Sequence, residues 1–148
     1  MANYNTTAEL DTFFAGRLNT TPYDNAMSGD KTKAATQATA IVDRLNYLGK
    51  RLVATQDNEF PRDPDASIPQ DIKDAHALIV LALLDGREIE AERDQLDIVN
   101  QTFANVKASF NRAELPPHIL AGVLSFEAWT ILKPYLRDQQ AIQLLRAT

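Results

Sequence analysis

Hydrophobic residues along the chain recur mostly at spacings of three and four, the period of helices with one buried face. Leu10, Phe13, Phe14 and Leu18 make the first such stripe and predict a helix from Thr7 to about Leu18. Thr6 and Glu9 stand at capping-box spacing, in which each side chain satisfies a backbone N–H of the other. Residues 19–27 are turn formers around Pro22 and read as a loop. Ala38, Ile41, Leu45, Leu48 and Leu52 form the next stripe. They predict a long helix from Ser28, its N-cap, to about Arg51, with Asp30 at the positive end of the dipole.

Two prolines interrupt residues 55–66 and make that stretch a loop, since each removes a donor and pushes its predecessor out of the helical region. Phe60 is the apolar residue in this polar loop and is expected to anchor it on the core, with Pro61 and Arg62 beside it. Ser67-Ile68-Pro69-Gln70 then reads as a capping box with an early proline. The helix it opens carries Ile72, Ala75, Leu78, Ile79, Ala82 and Leu83 on one face and Val80, Leu81 and Leu84 on much of the rest. A helix apolar on nearly all sides belongs at the centre of a fold. Gly86 supplies its stop, where positive φ is needed, and His76 inside it reads as a packed residue.

Residues 88–112 are divided. Glu88 to Asp94 reads as a solvated helical turn or linker. Leu96, Val99, Phe103, Val106 and Phe110 fit a helical stripe, while the β-formers among them and the alternation from Val106 to Phe110 fit strands. Pro116-Pro117 opens a last helix, His118 to about Lys133, built on Ile119, Leu120, Val123, Leu124, Ala128, Ile131 and Leu132. Trp129 is its core or interface anchor, and Pro134 breaks or kinks it. The pattern adds up to a mainly α fold, a small bundle of four to five helices, with 97–110 either helical or a short β-hairpin or extended segment. Residues 1–136 form the helical domain. Residues 137–148 form a C-terminal docking tail, with Ile142, Leu144 and Leu145 set among Gln and Arg.

Composition narrows the chemistry. A chain of 148 residues suits one domain with its own core. Without Cys there are no disulfides, thiol nucleophiles or Cys-based metal sites, which fits a cytosolic protein. The N-terminus lacks the basic start and apolar run of a signal peptide, and no apolar stretch is long enough for a membrane span. Two histidines 42 residues apart, no glycine-rich phosphate loop and no calcium-loop spacing leave no catalytic, cofactor or metal constellation, so the chain reads as a non-enzyme. The net charge of −5 is unevenly spread: residues 57–97 hold twelve acids and four bases. That acidic middle is either a solvated face or a surface that repels a polyanion.

The order of three motifs carries a resemblance. They are Ala38-Thr39-Ala40-Ile41-Val42-Asp43-Arg44-Leu45, then Phe60-Pro61-Arg62, then Ile68-Pro69-Gln70-Asp71-Ile72-Lys73-Asp74-Ala75. In this arrangement the chain resembles small tailed-phage proteins labelled head–tail adaptor or DnaT-like over about residues 6–136, departing from them at Phe60, where related chains tend to carry Trp. The resemblance implies a structural neck protein made in the host cytoplasm and located in the virion at the head–tail interface. It implies a homo-oligomeric, dodecameric ring beneath the portal protein, contacts to a tail or stopper/terminator protein, and DNA passing through the channel without specific binding. It also favours an extended segment at 97–110. Portal or subunit contacts would fall to Arg137, Gln140, Ile142, Leu144, Leu145 and Arg146. The rival expectation, carried by the DnaT-like label, is a single-stranded DNA-binding replication accessory. A stopper or tail-completion protein is a third.

Overall fold

Helix α4 (Gln70–Leu84) is the axis on which the other elements pack, and Ile72, Ala75, His76, Ile79 and Val80 along it are fully buried. The structure is a computed structural model that describes residues 2–97, 100–103, 106–109 and 115–137. Helices α3 (Ser28–Asp43) and α7 (Phe126–Leu132) make the largest interfaces with α4, and α1 (Thr7–Ala15) and α2 (Thr21–Asp24) close another side. The remaining elements are α5 (Ile89–Asp97), β1 (Asn100–Phe103), β2 (Val106–Ser109), α6 (Pro117–Leu120) and a 3-10 turn at Lys133–Tyr135. The fold is mainly helical, as the periodicity predicts. Among the described residues no helix is long and apolar enough to cross a membrane.

The ends of the helices differ from the sequence expectation, each for a local reason. The Thr6–Glu9 capping box forms in both directions. However, α1 stops at Ala15, because the N–H groups of Gly16 and Arg17 both turn back to Phe14 O. Leu18 lies beyond that stop and is 85% exposed. Part of the expected loop is the short helix α2, with Pro22 in its first turn and Tyr23 buried.

The long second helix ends at Asp43, well short of Arg51. Its cap residue is Met27, with Ser28 the first helical residue. Past Asp43 the chain doubles back: Tyr47 is buried with its hydroxyl donating to Val42 O at 2.8 Å, and Gly49 takes φ 74°, a left-handed conformation a helix cannot contain. Leu48 and Leu52, expected on the buried face, are instead exposed.

Helix α4 begins at Gln70 with Pro69 as its cap residue and no side-chain cap, so the Ser67 capping box does not form. Its end follows the expectation. Gly86 has φ 76°, and the N–H groups of Gly86 and Arg87 bond to Leu83 O and Ala82 O, the Schellman closure. The divided region splits: Ile89–Asp97 is helix α5, while β1 and β2 pair antiparallel from Asn100↔Ser109 to Phe103↔Val106. The single last helix is in fact two. Gly122 at φ 78° ends α6, and Ser125 starts α7 by accepting from Ala128 N at 3.2 Å. The break leaves Leu120 and Phe126 exposed but keeps Val123, Leu124 and Ala128 in the core. Gln140, Ile142, Leu144, Leu145 and Arg146 of the expected tail lie outside the described residues.

Candidate functional site

Where the second helix fails to continue, residues 46–52 form an irregular ribbon held between two distant parts of the chain. On one side Tyr47 bridges Leu136, with Leu48 N donating to Tyr135 O and Arg137 N donating to Asn46 O, both at 2.9 Å. On the other side Arg51 bridges Arg62, with Asp63 N donating to Lys50 O at 2.9 Å and Leu52 N to Pro61 O at 3.1 Å. The floor beneath is aromatic: the Phe60 ring, 3% exposed, lies 4.7 Å from Tyr47, 6.0 Å from Tyr135 and 6.3 Å from Tyr4. The Tyr4 hydroxyl donates to the Asp43 carboxylate, which also accepts from Glu59 N at 3.1 Å. Burial and that carboxylate push the Tyr4 phenol well above its ordinary range.

Arg62 locks the ribbon in place. Its Nε donates to Leu48 O at 2.8 Å, one terminal nitrogen to Gly49 O at 2.7 Å and Tyr47 O at 3.5 Å, and the other to Glu59 O at 3.4 Å and the Glu59 carboxylate at 2.5 Å. A guanidinium has five N–H donors, so this set occupies all of them. Arg62 is 9% exposed, and the other side of the Glu59 carboxylate is paired with Arg51.

Around this clasp, Lys50, Arg51, Lys133 and Arg137 are all exposed, whereas Arg44 donates back to Ala40 O and shares a hollow with Glu88 and Glu90. Against them stand the exposed carboxylates of Asp63 and Asp65 on the Arg62 loop and of Asp71, which accepts from the Tyr135 hydroxyl at 2.9 Å, while Glu59 is already paired. Leu48, Leu52 and Val53 add exposed aliphatic surface at 53%, 43% and 53%. The ribbon therefore sets exposed cations and aliphatic surface side by side, with carboxylates close by. Several other cations are paired. A hollow of about 640 Å3 is lined by Arg17, Arg87 and the polar residues Asn19, Thr21 and Asn25, but Arg17 is paired with Glu127 and Arg87 with Glu92. Helix α5 and the residue before it carry the exposed acids Glu88, Glu90 and Asp94.

A second polar centre is internal. His76 Nε2 lies 2.9 Å from Ala35 O, which can only accept, so Nε2 carries the proton and Nδ1 accepts from Asn5 Nδ2 at 3.0 Å. Thr39 Oγ1 sits 3.1 Å from Nε2, and Asn5 Nδ2 also donates to Lys73 O at 2.6 Å. Burial lowers the His76 pKa to about 4, against a smaller opposing effect of the Ala35 bond. With its donor and acceptor used, this imidazole ties the N-terminal segment to α3 and α4. Among the described residues no group of three or more His, Asp or Glu is placed to hold a metal.

Of the residues expected to matter, Phe60, Pro61 and Arg62 sit together under and beside the ribbon, and Arg137 joins it from the far end of the chain. Lys50 and Lys133 do not stand out in the sequence. A helix drawn through Arg51 places Lys50 on a solvated helical flank; Asn46 and Gly49, both poor helix formers, are the signal against it.

Residues 2–147 match the family described as "Putative DnaT-like ssDNA binding protein". No curated protein and no solved structure matches the chain. The family match corrects the head–tail adaptor resemblance, and with it the virion-structural role, the dodecameric ring under a portal, the tail or stopper partner and the passage of DNA without specific binding. The reason lies in the motifs themselves. Ala38, Ile41, Val42, Phe60, Ile72 and Ala75, which carried that resemblance, are core residues. They report how the chain packs and say nothing of what its surface meets.

Proposed function

Because the chain belongs to the DnaT-like ssDNA binding family, we propose that it binds single-stranded DNA as a replication accessory, with the ribbon 46–52 and its flanks as the binding face. The observation that carries this placement is the set of exposed cations Lys50, Lys133 and Arg137, on segments joined by the Tyr47–Leu136 bridge, beside exposed Leu48, Leu52 and Val53. Single-strand binding combines cations that follow the phosphates with side chains that meet the base faces, usually aromatic ones that stack, and it tolerates sequence. Here the exposed neighbours are aliphatic and supply contact without stacking. A net charge of −5 does not oppose this. At physiological salt the Debye length is about 8 Å, so a strand on the ribbon responds mainly to nearby charge. Acidic α5 would turn a polyanion away and so favour one face. The role needs no bond made or broken, and the buried Tyr4–Asp43 and His76 groups serve packing.

Binding of a fluorescently labelled oligo-dT, followed by anisotropy over a salt series, tests this reading. Wild-type protein should bind with affinity that falls as salt rises. Lys50→Ala with Arg137→Ala should weaken binding and reduce the slope of log K against log salt by about 0.7 for each phosphate no longer neutralised. No binding at low salt, or an unchanged slope in the double variant, would remove the ribbon from this role.

A further inference from the structure

The cations of the ribbon divide into two kinds, and the division follows from donor counting. Lys50 is exposed, and among the described residues its ammonium has no ion-pair partner. Arg62 is the opposite. All five of its donors end on Tyr47 O, Leu48 O, Gly49 O and Glu59, so a phosphate could be reached only by giving up a bond already made. Three of the four carbonyls it gathers belong to consecutive residues at the Gly49 turn, immediately before Lys50. The start of the turn is also held by buried Tyr47 and by Leu48 N donating to Tyr135 O. Gly49, however, has intrinsic freedom at φ 74°, and Lys50 and Arg51 are bound through the backbone to the loop that carries Arg62 itself.

We infer that Arg62 is a positioning residue for strand binding: it holds the 47–49 turn so that Lys50 and its aliphatic neighbours are presented in one arrangement, and it does not touch the nucleic acid. This rests on the reading of the ribbon as the single-strand face. A pre-ordered turn loses less conformational freedom on binding, and that is the route by which a residue remote from the ligand alters affinity. Glu59 belongs to the same device, because its carboxylate bridges Arg62 and Arg51 and so ties the ribbon to the loop that carries Arg62.

Two readouts on Arg62→Lys, with Glu59→Gln as a milder second variant, test the inference. The first is amide hydrogen exchange at residues 47–52, which needs no DNA. The second is the oligo-dT salt series. Lysine keeps the charge but not the five-donor fork, so exchange over 47–52 should speed up at least tenfold while α3 and α4 stay protected. Oligo-dT affinity should fall several-fold, and the salt slope should match that of the wild type. Unchanged exchange in both variants would overturn the positioning role. A salt slope reduced by about 0.7 would overturn it in favour of direct phosphate binding. Faster exchange with unchanged affinity would show that the turn's order is irrelevant to binding and would overturn it too. If wild-type protein binds no oligo-dT, the single-strand reading fails, while the exchange result still decides whether Arg62 orders the turn.

Discussion

Arg62 and His76 are both saturated hubs of nitrogen donors, but one is kept charged at the edge of the fold and the other neutral at its centre. Arg62 gathers four carbonyls and a carboxylate where Arg51 and water are close by. His76 is 0% exposed and meets only uncharged partners, Asn5, Thr39 and Ala35 O. The contrast follows from desolvation. A charge leaves water only when a counter-charge and enough hydrogen bonds go with it; a group that can shed its proton does so instead. The two hubs therefore fail differently.

The largest expected effect comes from discharging the edge hub. Arg62→Met should lower stability by about 3 kcal/mol in urea unfolding, since it leaves a half-buried Glu59 with one partner and four carbonyls without their donor. A drop below about 1 kcal/mol would mean that these carbonyls find water easily and that the clasp contributes little.

Next comes acid. The folded-state pKa of His76 is about 4 against an unfolded value near 6.5, so between those values the unfolded chain takes up a proton that the folded chain refuses. Stability should be level above pH 6.5 and fall as the pH drops from 6.5 towards 4, by up to about 1.4 kcal/mol per unit. Urea midpoints at pH 7, 6 and 5 should show that slope in the wild type and a flatter line in His76→Gln. Equal slopes would place the acid sensitivity elsewhere.

The smallest effect sharpens the comparison from the other side. Lys50 is exposed and outside both hubs, so Lys50→Ala should change unfolding free energy by less than about 0.5 kcal/mol, whatever it does to oligonucleotide affinity. A larger change would make Lys50 part of the clasp.

Some of this was legible along the chain. The Thr6–Glu9 box and the glycine that ends α4 are set by neighbours within a turn, and both form as their residues predict. Helical spacing was a worse guide at Leu48 and Leu52, though Leu45 still packs against the core. The spacing continues a true stripe past the point where Asp43 is taken up by Tyr4 and Glu59. The basic ribbon was hidden for a simpler reason. Charge counted over stretches of sequence gives residues 1–56 six bases and five acids, nearly neutral, and leaves Lys133 and Arg137 in another stretch altogether.

By itself, then, the sequence determined a helical protein with α4 at its centre, because apolar periodicity and local caps depend on residues a few positions apart. The tertiary structure decided where helices stop and which charges share a surface. Those outcomes turn on pairings such as Tyr47 with Leu136 and Leu48 with Arg62, between partners that no local pattern brings together and that meet only once the core has folded.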